Sequence, residues 1–127
     1  MIYDVGTDVV EIERIQEALA RWGERFAGKI LCEPEMKRFH SNRKPAAYLA
    51  KRFAAKEAFT KALGTGIRSP AGWHGFWVKN LPSGKPVLEY SESLKALLVE
   101  RKISASHLSL SDERGLAIAT VILECEN

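Results

Sequence analysis

The chain has 127 residues and a formal net charge of +3, with a sequence pI of about 9.0. This length fits one compact domain, residues 1–127, which has little room for a deep pocket of its own, so a site between subunits would be unsurprising. The net charge is small for a chain of this length, and its mild basic excess weakly favours an acidic or phosphorylated partner.

Cysteine usage and the terminus indicate the compartment. Cys32 and Cys125 lie far apart and have no histidine at a zinc-ligand spacing, which favours free thiols over a disulfide or zinc site. The first residues carry acids and lack a basic segment followed by an apolar run, so no signal peptide is predicted. No stretch approaches the length of a membrane-spanning helix. We therefore expect a cytoplasmic protein without membrane association.

The chain begins with a predicted strand and an amphipathic helix. Ile2 to Val10 are rich in β-branched and aromatic residues and predict a strand that has Asp8 near its end. From Glu11 onward apolar residues recur every three or four positions, which predicts a helix with a break at Gly23. Its predicted apolar face consists of Ile12, Ile15, Leu19, Trp22 and Phe26.

The other face of this helix carries basic residues. Arg14, Arg21 and Arg25 fall on one side when the helix is drawn at 3.6 residues per turn. They form either a positive ridge suited to an acidic helix of a partner or a solvated surface.

A short helix and a polar loop follow. A helix is predicted from Cys32 to about Phe39, because Pro34 fits the first helical turn. The proline-marked loop over residues 42–46 comes next. Its Arg43 and Lys44 are either solvated or reach a phosphate.

Residues 51–67 predict the central helix, which runs into a glycine loop. Bulky residues gather on one side and alanines on the other, so the helix should be buried nearly all round. Glu57 and Lys61 project together from the alanine side. Since unpaired buried charges are costly, they form an ion pair before a C-cap at Gly64, line a wet cleft, or hold a metal or phosphate.

The remaining residues alternate strands with one helix. A hairpin is predicted from a strand over 73–79, a turn over 83–86 and a strand over 87–90. A helix capped by Ser91 or Ser93 runs to Val99, and two strands, 107–111 and 116–124, are joined by a tight turn. The fold class is therefore α+β, with an antiparallel sheet packed against helices.

Several of these residues suit a phosphate-transfer site. Asp8 and Glu57 are a plausible pair of ligands for Mg²⁺, which takes few carboxylates and fills its shell with water and substrate phosphates. Lys61, the 64–66 glycine loop and the turn at Ser83-Gly-Lys85 are parts of a phosphate site, although none is a Walker A sequence.

The histidines carry weaker signals. His40 and His74 fit surface or packing positions. His107 opens a strand beside serines and fits either a nucleotide contact or a satisfied core histidine.

Four stretches together resemble the holo-[acyl-carrier-protein] synthase family, one branch of the phosphopantetheinyl transferases. The resemblance spans the whole chain, with two long motifs in the right order and at the right separation. The stretches are Gly6-Thr-Asp-Val-Val-Glu-Ile-Glu-Arg-Ile15, Arg52-Phe-Ala-Ala-Lys-Glu-Ala-Phe-Thr-Lys-Ala-Leu-Gly-Thr-Gly-Ile67, Gly84-Lys-Pro86 and His107-Leu-Ser-Leu-Ser-Asp-Glu113.

The resemblance implies the phosphopantetheinyl transferase fold and transfer of the phosphopantetheine arm of coenzyme A to a serine of apo acyl carrier protein, in fatty acid biosynthesis. It assigns Asp8 and Glu57 as the Mg²⁺ ligands and Lys61 as the lysine that contacts phosphate. Glu57 and a water held by the cation are the candidates for the general base.

The resemblance also implies a homotrimer with sites between subunits. Lys61 and Gly64 would then contact coenzyme A, and Gly84, Lys85, Pro86 and His107 would contact its nucleotide across the interface. Arg14, Arg21 and Arg25 would face the carrier protein. Two positions depart from the family pattern: Asp112 stands where some members have a second histidine, and Ser83 where members often have Asn or Leu.

Two other functions fit less of the sequence. A basic module that binds nucleic acid is suggested by the pI and by Arg14, Arg21, Arg25, Lys51 and Arg52, but the net charge is small and the aromatics are not interleaved with basic residues. A relative that serves carrier proteins of peptide or polyketide synthesis is the other alternative.

Overall fold

The computed structural model describes residues 1–126, which form five strands and five helices. The elements in chain order are β1 Ile2–Glu11, α1 Ile12–Trp22, α2 Glu24–Ile30, α3 Glu33–Ser41, α4 Pro45–Leu63, β2 Phe76–Asn80, β3 Pro86–Tyr90, α5 Glu92–Glu100, β4 Ile103–Glu113 and β5 Leu116–Cys125.

The strands form two antiparallel sheets. The larger one has three strands in the order β1-β5-β4, and β2 and β3 make a separate two-stranded sheet. Asp8 of β1 and Leu110 of β4 both lie opposite Ala119 of the central strand β5. The α+β class is thus confirmed, with the strands divided between two sheets.

Helix α4 lies across one face of the three-stranded sheet. Its alanines at 54, 58 and 62 are fully or almost fully buried and pack with Ala119 and Val121 of β5 in the main core. The prediction of a helix buried nearly all round is confirmed, since twelve of its nineteen residues are buried. Small side chains let the helix and the sheet approach closely.

Local signals located most boundaries well. The break at Gly23 separates α1 from α2, Cys32 is the N-cap of α3, and Ser91 Oγ accepts a hydrogen bond from Leu94 N at the start of α5. The central helix begins at Pro45, inside the segment predicted as a loop. Proline suits a first turn because its missing N–H has no partner there.

Three strand predictions, those of β2, β4 and β5, were wrong in extent. Strand β2 begins at Phe76 rather than Trp73, since residues 72–75 form a turn closed by a hydrogen bond from Gly75 N to Gly72 O. Strands β4 and β5 are longer than predicted and meet at Arg114 and Gly115, whose φ angles of 50° and 80° are typical of a two-residue type I′ hairpin.

Two further features concern cysteine and membranes. Cys32 and Cys125 are free, as predicted. Among the helices of residues 1–126, none combines the length and apolar character needed to cross a bilayer.

Candidate functional site

Strand β1 is held against helix α4 by a glycine. A Cβ atom placed on Gly6 would lie 1.9 Å from the carbonyl oxygen of Ala58, so only glycine permits this approach. Two residues further along β1, Asp8 points to the same side of the sheet. Lys61 of α4 donates hydrogen bonds to Asp8 Oδ1 and to the Thr7 carbonyl oxygen, both at 3.0 Å.

Glu57 lies beside this ion pair. Burial, followed by the neighbouring Asp8 carboxylate, raises the pKa of Glu57, and Lys61 opposes the shift. The structure therefore brings Asp8, Glu57 and Lys61 together, as the sequence predicted for a metal and phosphate site. The alternative of an i,i+4 pair between Glu57 and Lys61 is not what forms, because the Lys61 ammonium pairs with Asp8 instead.

The carboxylate pair fits a divalent cation. Asp8 Oδ2 is buried, and within residues 1–126 no hydrogen-bond donor reaches it. A buried anionic oxygen without a partner, beside a second carboxylate, is the arrangement that a cation would stabilise. No group of three potential ligands forms in this part of the chain. Two carboxylates suit Mg²⁺, which keeps several waters and binds substrate phosphates.

The glycine loop after α4 leaves space for a ligand, but the backbone N–H of Gly64 is not available to bind it. Gly64 has a φ of 87°, and its N–H donates to the Thr60 carbonyl oxygen as a helix cap. That N–H is therefore already used. No atom lies within 4 Å of a Cβ built on Gly64, so a ligand at Lys61 can extend past it.

A basic pocket lies near the first half of α4 and was not predicted as a unit. It has a volume of about 370 Å³, and Asn80 of β2 and Asp112 of β4 also line it. Lys51 Nζ lies 3.6 Å from Asp112 Oδ2. The cationic residues of this basic pocket are Arg38, Arg43, Lys44, Lys51 and Arg52. This excess of positive charge suits an anionic ligand.

Arg52 is the most buried member of the basic pocket. Only 4% of it is exposed, its guanidinium lies 4.4 Å from the centre of the Tyr48 ring, and Nη2 donates to Asn80 Oδ1 at 2.6 Å. Its Nε is buried, and no acceptor among residues 1–126 reaches it. Burial lowers the pKa of Arg52 because it disfavours the charged guanidinium, and an anion bound beside Arg52 would offset that effect.

The turn between β2 and β3 adjoins the basic pocket. Asn80 Nδ2 donates to the Gly84 carbonyl oxygen at 3.1 Å, so Asn80 connects Arg52 to this turn. Gly84 has a φ of 93°, which favours glycine, and the Lys85 carbonyl oxygen accepts a hydrogen bond from Leu81 N. The predicted nucleotide contacts at Gly84, Lys85 and Pro86 thus lie together at one side of the pocket.

His107 lies elsewhere. It is exposed, so the alternative of a core histidine is wrong, and its Nε2 lies 2.6 Å from Glu124 Oε2. Side chains along a strand alternate between the two faces of the sheet, and His107 is an odd number of residues from Asp112 on β4. The two side chains therefore lie on opposite faces. Within one chain, His107 is therefore separated by the sheet from α4 and from the basic pocket.

The predicted basic ridge is solvent-exposed, with Arg14 and Arg21 on α1 and Arg25 on α2, beyond the break at Gly23. Trp22, predicted on the apolar face, is 54% exposed, and the Arg21 guanidinium lies 5.1 Å from the centre of its ring. An exposed tryptophan among arginines is typical of a protein-binding surface.

Comparison with known proteins identifies the family. A sequence profile described as the 4'-phosphopantetheinyl transferase superfamily matches residues 4–121. The chain belongs to this superfamily. Among superfamily members, the holo-[acyl-carrier-protein] synthase of Vibrio cholerae serotype O1 is 50% identical over 124 residues, which cover 98% of each chain.

Solved structures of the superfamily agree. The crystal structure of holo-[acyl-carrier-protein] synthase from Neisseria meningitidis matches with a TM-score of 0.93 and 44% identity, over 98% of this chain and 99% of that one. The synthase from Bacillus anthracis, in complex with CoA (3',5'-ADP), matches with a TM-score of 0.83 and 34% identity over 99% of both chains. The resemblance and the fold inferred from the sequence are thus confirmed.

Proposed function

We propose that this enzyme is a holo-[acyl-carrier-protein] synthase, which transfers the phosphopantetheine moiety of coenzyme A to a serine of apo acyl carrier protein and releases adenosine 3',5'-bisphosphate. The observation that carries the proposal is the unpartnered Asp8 Oδ2 beside Glu57 and Lys61, in a chain of this superfamily. The reaction takes place in the cytoplasm and supplies fatty acid biosynthesis.

Asp8 and Glu57 would hold Mg²⁺, which when bound acts as a Lewis acid on the pyrophosphate of coenzyme A and orients it. Lys61 places an ammonium beside the same position. Its side chain is 54% exposed, whereas that of Asp8 is 16% exposed, so the lysine is free to turn from Asp8 toward an incoming phosphate. Its positive charge then stabilises the charge that develops on the transferred phosphoryl group.

Glu57 is also the candidate general base. It lies on the rigid central helix beside the proposed cation position, which fixes its carboxylate near the reacting groups. The serine hydroxyl of the carrier protein would lose its proton as its oxygen attacks the phosphorus in line with the leaving group.

The basic pocket and the turn at Gly84 to Pro86 would bind the nucleotide part of coenzyme A. Its phosphates require positive charge, which Arg52 and its basic neighbours supply. Arg52, which lines this pocket, also has an Nε without a hydrogen-bond partner among residues 1–126. Gly64 leaves space for the ligand beyond Lys61.

The active enzyme would be a homotrimer with sites between subunits. The face of the three-stranded sheet away from α4 carries exposed Val5 and Val9, with Ile118 and Ile122 half-buried beside them. Apolar side chains of this kind on an open sheet face favour a subunit contact. His107 lies on that face, so it would reach a nucleotide only across such a contact.

The carrier protein would dock on α1 and the start of α2. Arg14, Arg21 and Arg25 offer positive charge to its acidic surface, and Trp22 offers an apolar contact in their midst. None of these residues lines the basic pocket, so carrier binding and coenzyme A binding would use different side chains.

The test compares two aspartates of the same strand. Asp8→Ala removes a carboxylate of the proposed cation site, whereas Asp4→Ala removes an exposed carboxylate of β1. Transfer to apo carrier protein should fall at least about a hundredfold in Asp8→Ala and stay within about twofold in Asp4→Ala. Unchanged turnover in a folded Asp8→Ala protein would remove the basis of the proposal.

A further inference from the structure

A second pair of charged residues lies entirely inside the protein. The side chains of Glu35 in α3 and Lys56 in α4 are 0% exposed, and Lys56 Nζ lies 2.8 Å from Glu35 Oε1. Lys56 falls on the bulky apolar side of the α4 wheel and directly precedes Glu57 in sequence. The proposed mechanism uses neither residue.

The hydrogen bonding of this pair is complete. The ammonium of Lys56 has three N–H groups, and it donates to Glu35 Oε1, to the Ile30 carbonyl oxygen and to the Trp73 carbonyl oxygen at 2.7 to 2.8 Å. Glu35 Oε1 also accepts from Cys32 N, and Oε2 accepts from Val78 N, both at 2.8 Å. The pair therefore joins α2, α3, α4, the 73–75 turn and β2.

Stability alone does not account for such a pair. Replacement of a buried ion pair by apolar residues of similar volume is often neutral or stabilising, because desolvation offsets much of the attraction. A buried pair with several fixed partners instead determines one arrangement of the elements that it joins. The question is which arrangement this pair determines.

The β2–β3 hairpin depends on side chains for its position. It forms a sheet of its own, so no strand ladder connects it to the three-stranded sheet. Strand β3 pairs along one edge of β2, and Glu35 Oε2 accepts the Val78 N–H directed away from β3. Through Lys56, the same carboxylate is connected to the helix that carries Glu57. Tyr90 Oη also donates to Ser106 Oγ of β4, and Cys32 Sγ donates to the Phe76 carbonyl oxygen. The link from Arg52 to Asn80 lies nearer the Gly84 end of the hairpin.

We infer that Glu35, through Lys56 and Val78, is a positioning residue that fixes the turn at Gly84 to Pro86 relative to helix α4. This inference rests on the proposed function, because it assigns the turn to coenzyme A and α4 to the cation and phosphate site. Loss of the link to Val78 shifts the hairpin and weakens coenzyme A binding. The basic ridge on α1 and α2 takes no part in the hydrogen bonds of this pair, so carrier binding is unaffected.

The experiment compares Glu35→Gln with Glu33→Gln. Both substitutions remove one negative charge from the first turn of α3, but Glu33 is exposed. A glutamine has one acceptor oxygen, so it cannot serve Lys56, Cys32 N and Val78 N together, and its NH₂ group would face an N–H. Steady-state transfer is measured with coenzyme A varied and then with carrier protein varied, and near-UV circular dichroism reports folding.

In Glu35→Gln we expect the KM for coenzyme A to rise about tenfold, the effect of one lost buried hydrogen bond, with kcat within about threefold and the KM for carrier protein within about twofold. Glu33→Gln should match the wild type. A purely structural role lowers the concentration of active enzyme and thus kcat, and leaves the KM unchanged. A folded Glu35→Gln protein with an unchanged KM for coenzyme A overturns the inference.

If the glutamine variant does not fold, Glu35→Asp is the second variant for the same measurement. It keeps the countercharge for Lys56 but is one methylene too short to reach Lys56 and Val78 N together, so the same rise in KM is expected. Unfolding of both variants would assign the pair to stability and overturn the inference. Absence of transfer by the wild type would instead refute the proposed function.

Discussion

The close contact between β1 and α4 makes Gly6 sensitive to any added side chain. In Gly6→Ala the added methyl carbon would lie 1.9 Å from Ala58 O and 2.8 Å from Ala62 N. Both are backbone atoms of buried residues in the packed part of α4, so neither has room to withdraw. The strand would have to move by about 1.5 Å to bring the nearer contact to 3.4 Å, an ordinary van der Waals distance.

Overpacking of this kind costs about 3 kcal/mol of the free energy of unfolding, the upper part of the usual range, since backbone rather than a side chain must shift. Because Asp8 lies on the displaced strand, its 3.0 Å contact with Lys61 would also lengthen. Transfer activity should therefore fall by more than the loss of folded protein explains.

Urea unfolding followed by tryptophan fluorescence measures the change, with Gly28→Ala as the control. Gly28 lies in α2, has no atom within 4 Å of a built Cβ, and should gain about 1 kcal/mol from the better helix propensity of alanine. A loss below about 1 kcal/mol in Gly6→Ala would refute the steric argument.

Three other predictions follow from the charges and the open sheet face. Because the pKa of Glu57 is raised in the folded state, the free energy of unfolding falls as pH rises from 4.5 through the folded-state pKa. In the presence of chelator, Glu57→Gln should therefore unfold at a higher urea concentration than the wild type at neutral pH, and at the same urea concentration below pH 4.5. Added Mg²⁺ should stabilise the wild type and leave Glu57→Gln unchanged. Arg14→Glu should raise the KM for carrier protein about tenfold and leave the KM for coenzyme A unchanged. The control Lys37→Glu, at an exposed position of α3, should alter neither KM. Equal effects of Arg14→Glu on both KM values would contradict the assignment of the basic ridge to carrier binding. Val9→Asp should convert a trimer into monomers in analytical ultracentrifugation and lower transfer, and a wild-type monomer would exclude the proposed assembly.

Sequence reasoning located the elements whose signals are local. The break at Gly23, the helix start at Cys32 and the cap at Ser91 depend on residues that are close in sequence, and the structure has each of them. The predicted start of β2 was wrong because a residue far away in sequence stabilises the turn at 72–75: Lys56 donates a hydrogen bond to the Trp73 carbonyl oxygen.

The candidate site was predictable in part for the same reason. Glu57 and Lys61 are one helical turn apart, so their proximity follows from the sequence, and the family motif added Asp8. The pairing of Lys61 with Asp8 depends on how closely β1 approaches α4, which no local pattern reveals. The basic pocket likewise needs residues 80 and 112 to meet α4 in space.

The buried pair of Glu35 and Lys56 was the clearest omission. A signal existed, because Lys56 lies among bulky apolar residues on the helical wheel, and a lysine there requires a partner. The partner itself was not deducible, since Glu35 lies in a different helix and is an ordinary first-turn acid by sequence.

Intact mass of apo acyl carrier protein, after incubation with this protein, coenzyme A and Mg²⁺, tests the central claim most directly. A parallel reaction contains a chelator, and a third contains Asp8→Ala. The account predicts a gain of one phosphopantetheine group with Mg²⁺, and none with chelator or with the variant. The same gain in all three reactions would contradict the assignment of Asp8 and Glu57 as holders of the cation, and no gain in any of them would contradict the proposed transfer itself.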